Sequence, residues 1–222
     1  MCISESKIRR ICRKNGILAK PKKIKPPTRD KKLPDSQIPN LIAGMIQNSL
    51  ILKPNQVWSG DFSYFKIQGL WHYLATVIDT YTKEILGFSL SIKHDTDLIT
   101  RALNMAMRKN RKPNIFHSDQ GSEYTSMHYR NILANNHIEQ SNSQKSSPWQ
   151  NGYQESFYGK FKQELRLYRL DNCDSYLEAY SLILKQIDYY NNHRIHTSIK
   201  NIPHLFYHQY LRENNVSEKW VG

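Results

Sequence analysis

A chain of 222 residues with 39% hydrophobic content, fourteen Tyr and four Trp can bury a core, which excludes global disorder. Its formal charge of +13 suits a polyanionic partner. It has no apolar run of membrane-span length and no signal-peptide core, and Cys2, Cys12 and Cys173 form no C-x-x-C pair, so the reducing cytoplasm is the expected compartment.

The charge is concentrated at one end. Residues 1–34 carry twelve Lys/Arg against Glu5 and Asp30. Within them, 4–15 predicts a short basic helix with Ile8 and Ile11 on one side, stopped by Gly16. Pro21, Pro26 and Pro27 then impose an extended, Lys-rich linker. Arg9, Arg10, Arg13, Lys22 and Lys23 are this arm's candidate phosphate contacts, with a solvated tail as the bland alternative. A second short helix is predicted at about 36–50, where Leu41, Ile42, Met45 and Ile46 recur at helical spacing.

Residues 57–67 alternate as a strand: Val57, Ser59, Asp61, Ser63 and Phe65 share one face, Trp58, Phe62 and Tyr64 the other. Gln68-Gly69 turns the chain into 70–79, apolar on both faces and hence central. A turn at 80–83 leads to a third strand, 84–92, and short connections make these three antiparallel. The pattern then changes to helix 96–109 capped by Asp95 or Thr96, strand 113–118, helix 125–135 and strand 137–141. Such alternation implies parallel neighbours joined by crossovers. Residues 142–151 are turn-formers throughout, helices follow near 152–168 and 174–191, and a polar tail containing Pro203 ends the chain. The sum is an α/β protein: a mixed sheet with helices on its faces and a basic N-terminal arm.

Three acids have distinctive settings. Asp61 lies mid-strand between Ser59 and Ser63, small polar flanks that leave room for a metal and a phosphate; alone, it also reads as a solvent-facing acid. Asp119 ends the apolar strand Ile115-Phe116, where ligand sites of open α/β sheets lie, although an Asp before Gly121 also reads as a turn residue. Glu155 opens a helix whose apolar stripe is Phe157, Phe161, Leu165 and Tyr168, with Tyr158 at its edge. Glu155, Gly159, Lys162 and Arg166 line a different face, an arrangement that could equally be a solvated surface with Glu/Lys pairing.

The segments WSGDFSY (58–64), HSDQGSEY (117–124) and SPWQNGYQESF (147–157) closely resemble blocks of insertion-sequence transposases of the OrfB type, relatives of retroviral integrases. The similarity continues through LATVIDTYTKEILGF (74–88) and YYNNHRIHTSI (189–199), and thirty-five residues separate Asp119 from Glu155, as in that family. The resemblance implies a ribonuclease H-like core over 53–207, an arm at 1–52 that is the remnant of a DNA-binding helical region and linker, and a tail at 208–222. It further implies that Asp61, Asp119 and Glu155 are catalytic and hold two Mg²⁺ or Mn²⁺ ions, a choice that fits their hard oxygens.

The implied reaction is 3′-end cleavage by water, then attack of the freed 3′-hydroxyl on a second phosphodiester, with double-stranded DNA (element ends and target) as partner and a homo-oligomer assembled on it. The implied site is the bacterial cytoplasm, at the nucleoid when on DNA. Lys162 matches a basic family position expected to touch DNA; Gly159 stands where retroviral relatives have Lys. Lys145 and Trp149 in the loop are candidate contacts by charge and stacking, beside Arg166. Tyr190, Asn191, Arg194 and His196 match a C-terminal signature without an assigned role, and Asp79 reads as a turn residue. Zinc is disfavoured, because His193/His196 and His204/His208 have only Cys173 near them. Two other readings stay open: a truncated, non-catalytic product that occupies element ends, and a ribonuclease H-type nuclease.

Overall fold

The computed structural model describes residues 10, 11, 14, 38–108, 111–143, 152–165 and 170–216, the side chains of residues 152, 153 and 155 excepted. The chain divides into two compact units, Met1–Lys31 and Lys32–Gly222. In the first, Arg10, Ile11 and Lys14 are helical, in keeping with the basic helix predicted there; Arg9, Arg13, Lys22 and Lys23 lie outside the described residues.

The second unit is built on a five-stranded sheet in the order β3-β2-β1-β4-β5. Strands β1 (Val57–Ile67) and β2 (Leu70–Asp79) are antiparallel. They meet at Gln68 and Gly69, whose φ values of 48° and 75° make the primed turn that matches strand twist. Strand β3 (Ile85–Ser91) pairs antiparallel with β2, while β4 (Ile115–Ser118) runs parallel to β1 and β5 (Glu139–Asn142) parallel to β4. The mixed sheet of three antiparallel and then parallel strands is the predicted one.

Helices cover both faces because the strands alternate. On one face Trp58, Ala75, Val77 and Phe116 pack with α2 (Thr96–Met107), the short α3 (Ser122–Thr125) and α4 (Met127–Asn135). Asp95 caps α2 by accepting from the Leu98 amide. On the other face Ile67, Leu74, Ile78 and Phe88 pack with α5 (Gly152–Leu165) and α6 (Tyr176–Asn192), through Phe157, Phe161, Leu165, Ile183 and Ile187. A Cβ at Gly87 of β3 would stand 2.2 Å from the Ala102 carbonyl oxygen and 2.6 Å from the Ala106 nitrogen, so α2 lies directly on the sheet backbone there.

Several predicted boundaries move. The helix expected over 125–135 is two pieces broken at Ser126, whose hydroxyl donates to the Glu123 carbonyl and accepts from the Tyr129 amide. A side chain that satisfies both ends of a break competes with continuous helix. The 36–50 helix shrinks to α1, Ala43–Gln47. Its flank is sewn to β5 instead: the Asn142 amide donates to the Pro39 carbonyl, the Leu41 amide to the Ser141 hydroxyl, and Ile42 is fully buried. The expected polar tail contains α7, Pro203–Glu213, with Pro203 at its start and Tyr207 and Leu211 buried. Arg111 anchors α7 by stacking 3.5 Å above the Tyr207 ring while bonding Glu84 at 2.7 Å.

Candidate active site

Asp61 sits on the β1 face turned toward α5, half-buried, directly across from Thr76 of β2. The parallel register of β1 with β4 runs Val57–Ile115, Trp58–Phe116 and Ser59–His117. Two residues past the last of these pairs come Asp61 on β1 and Asp119 just beyond the end of β4. Electrostatics agree with this placement, because the buried Tyr124 hydroxyl feels the negative charge of both acids. Its pKa is pushed well above the usual tyrosine value by burial first and by Asp61 and Asp119 in addition.

Asp119 is held at the end of β4 by its own backbone. Its carbonyl accepts from Asn142 Nδ2 at 2.6 Å and from the Ser118 hydroxyl at 3.0 Å, while its Oδ1 accepts from the Gly121 amide at 2.9 Å. Burial raises its pKa, the Gly121 bond opposes this, and the like charge of Glu123 adds to it. Glu123 is itself bonded to His94 Nδ1 at 2.9 Å.

Glu155 belongs to the first turn of α5, and the residues on either side of it fix that turn to the sheet. Gln154, fully buried, donates from Nε2 to the Ser59 carbonyl at 2.6 Å, and its Oε1 lies 3.2 Å from the Thr76 hydroxyl. Tyr158, one turn on, places its hydroxyl 2.7 Å from the Leu74 carbonyl, 3.2 Å from the Asp61 carbonyl and 2.9 Å from the Thr76 hydroxyl. Helix α5 is therefore tied to β1 and β2 at the level of Asp61. This corrects one expectation: the space beside Ser59 is not open, because the Gln154 amide fills it.

The far half of α5 is braced from α6 by the C-terminal signature. Tyr190 meets Phe157 edge-on at 5.3 Å, and Arg194 Nε lies 3.2 Å from Glu164, which Gln186 also bonds. Asn191 both donates to and accepts from the backbone of Ile85 at 2.9 Å, locking α6 to β3. His196 accepts no comparable burden; burial and the charges of Lys83, Arg194 and Lys160 lower its pKa to about 4. These residues position the helices, a role that the sequence alone did not assign.

Other predicted site residues fall as follows. The Lys162 ammonium lies 4.1 Å from the Tyr64 ring centroid and 5.4 Å from that of Phe65. Lys145, Trp149 and Arg166 lie outside the described residues, and Arg10 is exposed in the first unit. Asp79 is a turn residue: it is buried, and its carboxylate accepts from the amides of Asn55, Tyr81 and Thr82. Of the histidine pairs, His204 and His208 face each other with Nε2 atoms 3.0 Å apart. Among the described residues no group of three or more His, Cys, Asp or Glu side chains is gathered closely enough to hold a metal; Glu155's side chain is not one of those described. Nor is any described helix long and apolar enough to cross a membrane.

Sequence comparison matches the family described as Integrase core domain over residues 52–148, and a second family of the same description over 136–203. The chain is 40% identical over 164 residues to an uncharacterized 31 kDa protein of insertion element IS600 from Shigella sonnei, a match covering 70% of this chain and 59% of that protein. It thus spans less than two thirds of that relative. It is 33% identical over 187 residues to the transposase for insertion sequence element IS904 of Lactococcus lactis, covering 83% of this chain and 72% of the other. Among solved structures, the catalytic core domain of HTLV-2 integrase in complex with magnesium superposes with a TM-score of 0.60 at 22% identity, over 71% of this chain and 99% of that one. That likeness establishes a retroviral-integrase-type, ribonuclease H-like fold.

Proposed function

The chain belongs to the insertion-sequence transposases that carry an integrase core domain, and from that premise we propose that it catalyses metal-dependent 3′-end cleavage and strand transfer of an insertion element. The observation that carries the reading is the fastening of α5. Gln154 and Tyr158, which flank Glu155, bond the very stretch of β1 that holds Asp61, and Asp119 follows the end of β4, the strand parallel to β1.

The donor set fits a hard divalent cation. Every candidate ligand is a carboxylate, and among the described residues the charge that acts on Asp119 is that of another acid, Glu123. A site that collects like charges is stabilised by a cation. Asp61, Asp119 and Glu155 would hold two Mg²⁺ or Mn²⁺ ions, which when bound supply charge stabilisation to the attacking and leaving oxygens of an in-line displacement. The chain's own residues do the rest. Asn142 and Gly121 orient Asp119, and Gln154, Thr76 and Tyr158 hold the Glu155 turn at a fixed height over β1. Lys162, Arg166, Lys145, Trp149 and the basic arm would bind double-stranded DNA, on which two or more copies assemble. Neither hydrolysis nor transfer requires a covalent protein–DNA intermediate, so no Ser or Tyr nucleophile is assigned.

The test is Mg²⁺-dependent joining of a pre-cut terminal oligonucleotide to target DNA. Glu155→Gln preserves shape and removes charge; it is expected to abolish joining while DNA binding persists. Normal DNA binding by the wild-type chain with no metal-dependent product would identify a non-catalytic end-binding protein instead, and preferential cleavage of RNA–DNA hybrids would identify a nuclease.

A further inference from the structure

One surface next to the carboxylates is unaccounted for by metal chemistry. Strand β1 runs on past the end of β4, and its hairpin with β2 projects a row of half-buried aromatic rings. Phe62, Tyr64 and Lys66 of β1 and Tyr73 and Trp71 of β2 share one face, because Tyr64 pairs with Tyr73 and Lys66 with Trp71. Phe62 meets Tyr73 edge-on at 6.2 Å, and Tyr64 meets Trp71 at 5.4 Å. Only the inner pair, Phe62 and Tyr73, packs against the core beneath α2; Tyr64 and Trp71 lie beyond it.

Cross-strand aromatic pairs stabilise hairpins, which explains rings in contact with each other. It does not explain why two cations are held at those rings. Lys66 Nζ lies 5.5 Å from the Trp71 centroid, and Lys162 reaches from α5 round the sheet edge to within 4.1 Å of Tyr64. Ammonium groups beside ring faces, in a chain of net charge +13, match a ligand that alternates flat apolar rings with negative charge. The row starts at Phe62, the residue after Asp61, and extends four residues along the strand, on the order of 13 Å.

We propose that Tyr64 and Trp71, flanked by Lys66 and Lys162, form a stacking platform for unpaired bases of the DNA strand that continues from the carboxylate site. The bases would stack on the two rings and the neighbouring phosphates would pair with the two lysines. The choice of DNA as ligand rests on the transposase reading; the platform itself requires no catalysis.

The test therefore uses metal-free buffer and the full chain, measuring affinity for oligodeoxythymidylate, for an abasic oligonucleotide of equal length and charge, and for a blunt duplex. The wild type should prefer oligodeoxythymidylate to its abasic counterpart by about tenfold or more. Tyr64→Ala and Trp71→Ala should each erase about tenfold of that preference while leaving the abasic and duplex affinities in place, and Tyr64→Phe and Trp71→Phe should restore it. Photo-crosslinking of 5-iododeoxyuridine oligonucleotides to the unaltered protein, mapped by mass spectrometry, should mark Tyr64 or Trp71. Equal affinity for the base-bearing and abasic strands, crosslinks confined to other residues, or a change of oligomeric state in the alanine variants would overturn the proposal, the last by making this face a subunit contact. Base-selective binding without strand transfer would sink the strand-transfer reading and leave the platform standing; strand transfer without base selectivity would do the reverse.

Discussion

Asp61 and Asp79 lie on neighbouring strands, three residue pairs apart in one register and so about 10 Å from each other along the sheet. They have opposite surroundings. Asp79 is fully enclosed and spends its oxygens on three backbone amides, in a neighbourhood where Glu84 is matched by Arg111 and His204 and where Asn191 seals the start of β3. Its acceptors are consumed by the fold. At the other end, Asp61 and Asp119 converge on Tyr124, and Glu123 adds a further negative charge. Burial raises the Asp79 pKa and the like charge of Glu84 adds to this, while its three amide bonds oppose it. Asp119 has one backbone amide on its carboxylate, that of Gly121, and the like charge of Glu123 beside it. Asp79 and Asp119 thus differ in how many backbone amides each carboxylate holds.

The largest effect should divide the two ends by activity. Asp61→Asn and Asp119→Asn remove charge from the candidate metal site and are expected to cut Mg²⁺-dependent strand transfer by at least about a thousandfold, or ~4 kcal/mol of barrier. Their melting temperatures should hold or rise, because repulsion is relieved. Asp79→Asn should invert this result. Its amide cannot accept from all three N–H donors, so the fold should lose about 1–3 kcal/mol while the folded fraction keeps its activity. Paired thermal melts and strand-transfer assays decide it; full inactivation of folded Asp79→Asn protein would erase the distinction.

An intermediate effect belongs to Thr76, the hydroxyl shared by Gln154 and Tyr158. Thr76→Val keeps the shape and removes a hydroxyl that two buried polar groups contact, for a cost of about 1–2 kcal/mol. If these bonds set the height of the Glu155 turn, the Mg²⁺ concentration for half-maximal strand transfer should also rise, by roughly tenfold. A stability loss with an unchanged Mg²⁺ requirement would make the network a packing device only.

Much of this was legible in the residues. The bounds of β1 and β2 follow from alternation and from a Gln-Gly turn that accepts positive φ at both positions. The stripe Phe157, Phe161 and Leu165 is buried as helical spacing predicts. What failed was the part that depends on distant partners. Nothing local distinguishes Gln154 from a solvated glutamine, since its hydrogen bonds go to residues some ninety positions earlier. Helix α7 carries His204, His208 and Gln209 among its polar positions, and its apolar stripe has meaning only once Arg111 and Tyr81 are packed against it. One signal was available: Pro203 occupies the first helical position, where its missing N–H costs nothing.

The smallest effect tests whether the Asp79 end is a self-sufficient ion network or one that tolerates a cation it does not need. Lys83 donates to the Thr80 carbonyl and sits near Asp79, yet burial lowers its pKa to about 8 against the opposing pull of that acid. Below pH 8 folded and unfolded chains both hold the proton, and the folded state bears the full cost of burying it. Between about 8 and the ordinary value of 10.5 the unfolded chain keeps a proton that the folded one has released, so stability rises with pH across that window. Lys83→Met removes the group and with it the cost. The variant should be more stable than wild type by roughly 1–2 kcal/mol at pH 7, after the lost hydrogen bond is subtracted, and the advantage should shrink steadily from pH 8 to 10.5. Denaturant unfolding of both proteins across that range measures it. A variant less stable at pH 7 would mean that the attraction to Asp79 outweighs burial, and that the end of the sheet opposite the candidate metal-site acids depends on its lysine after all.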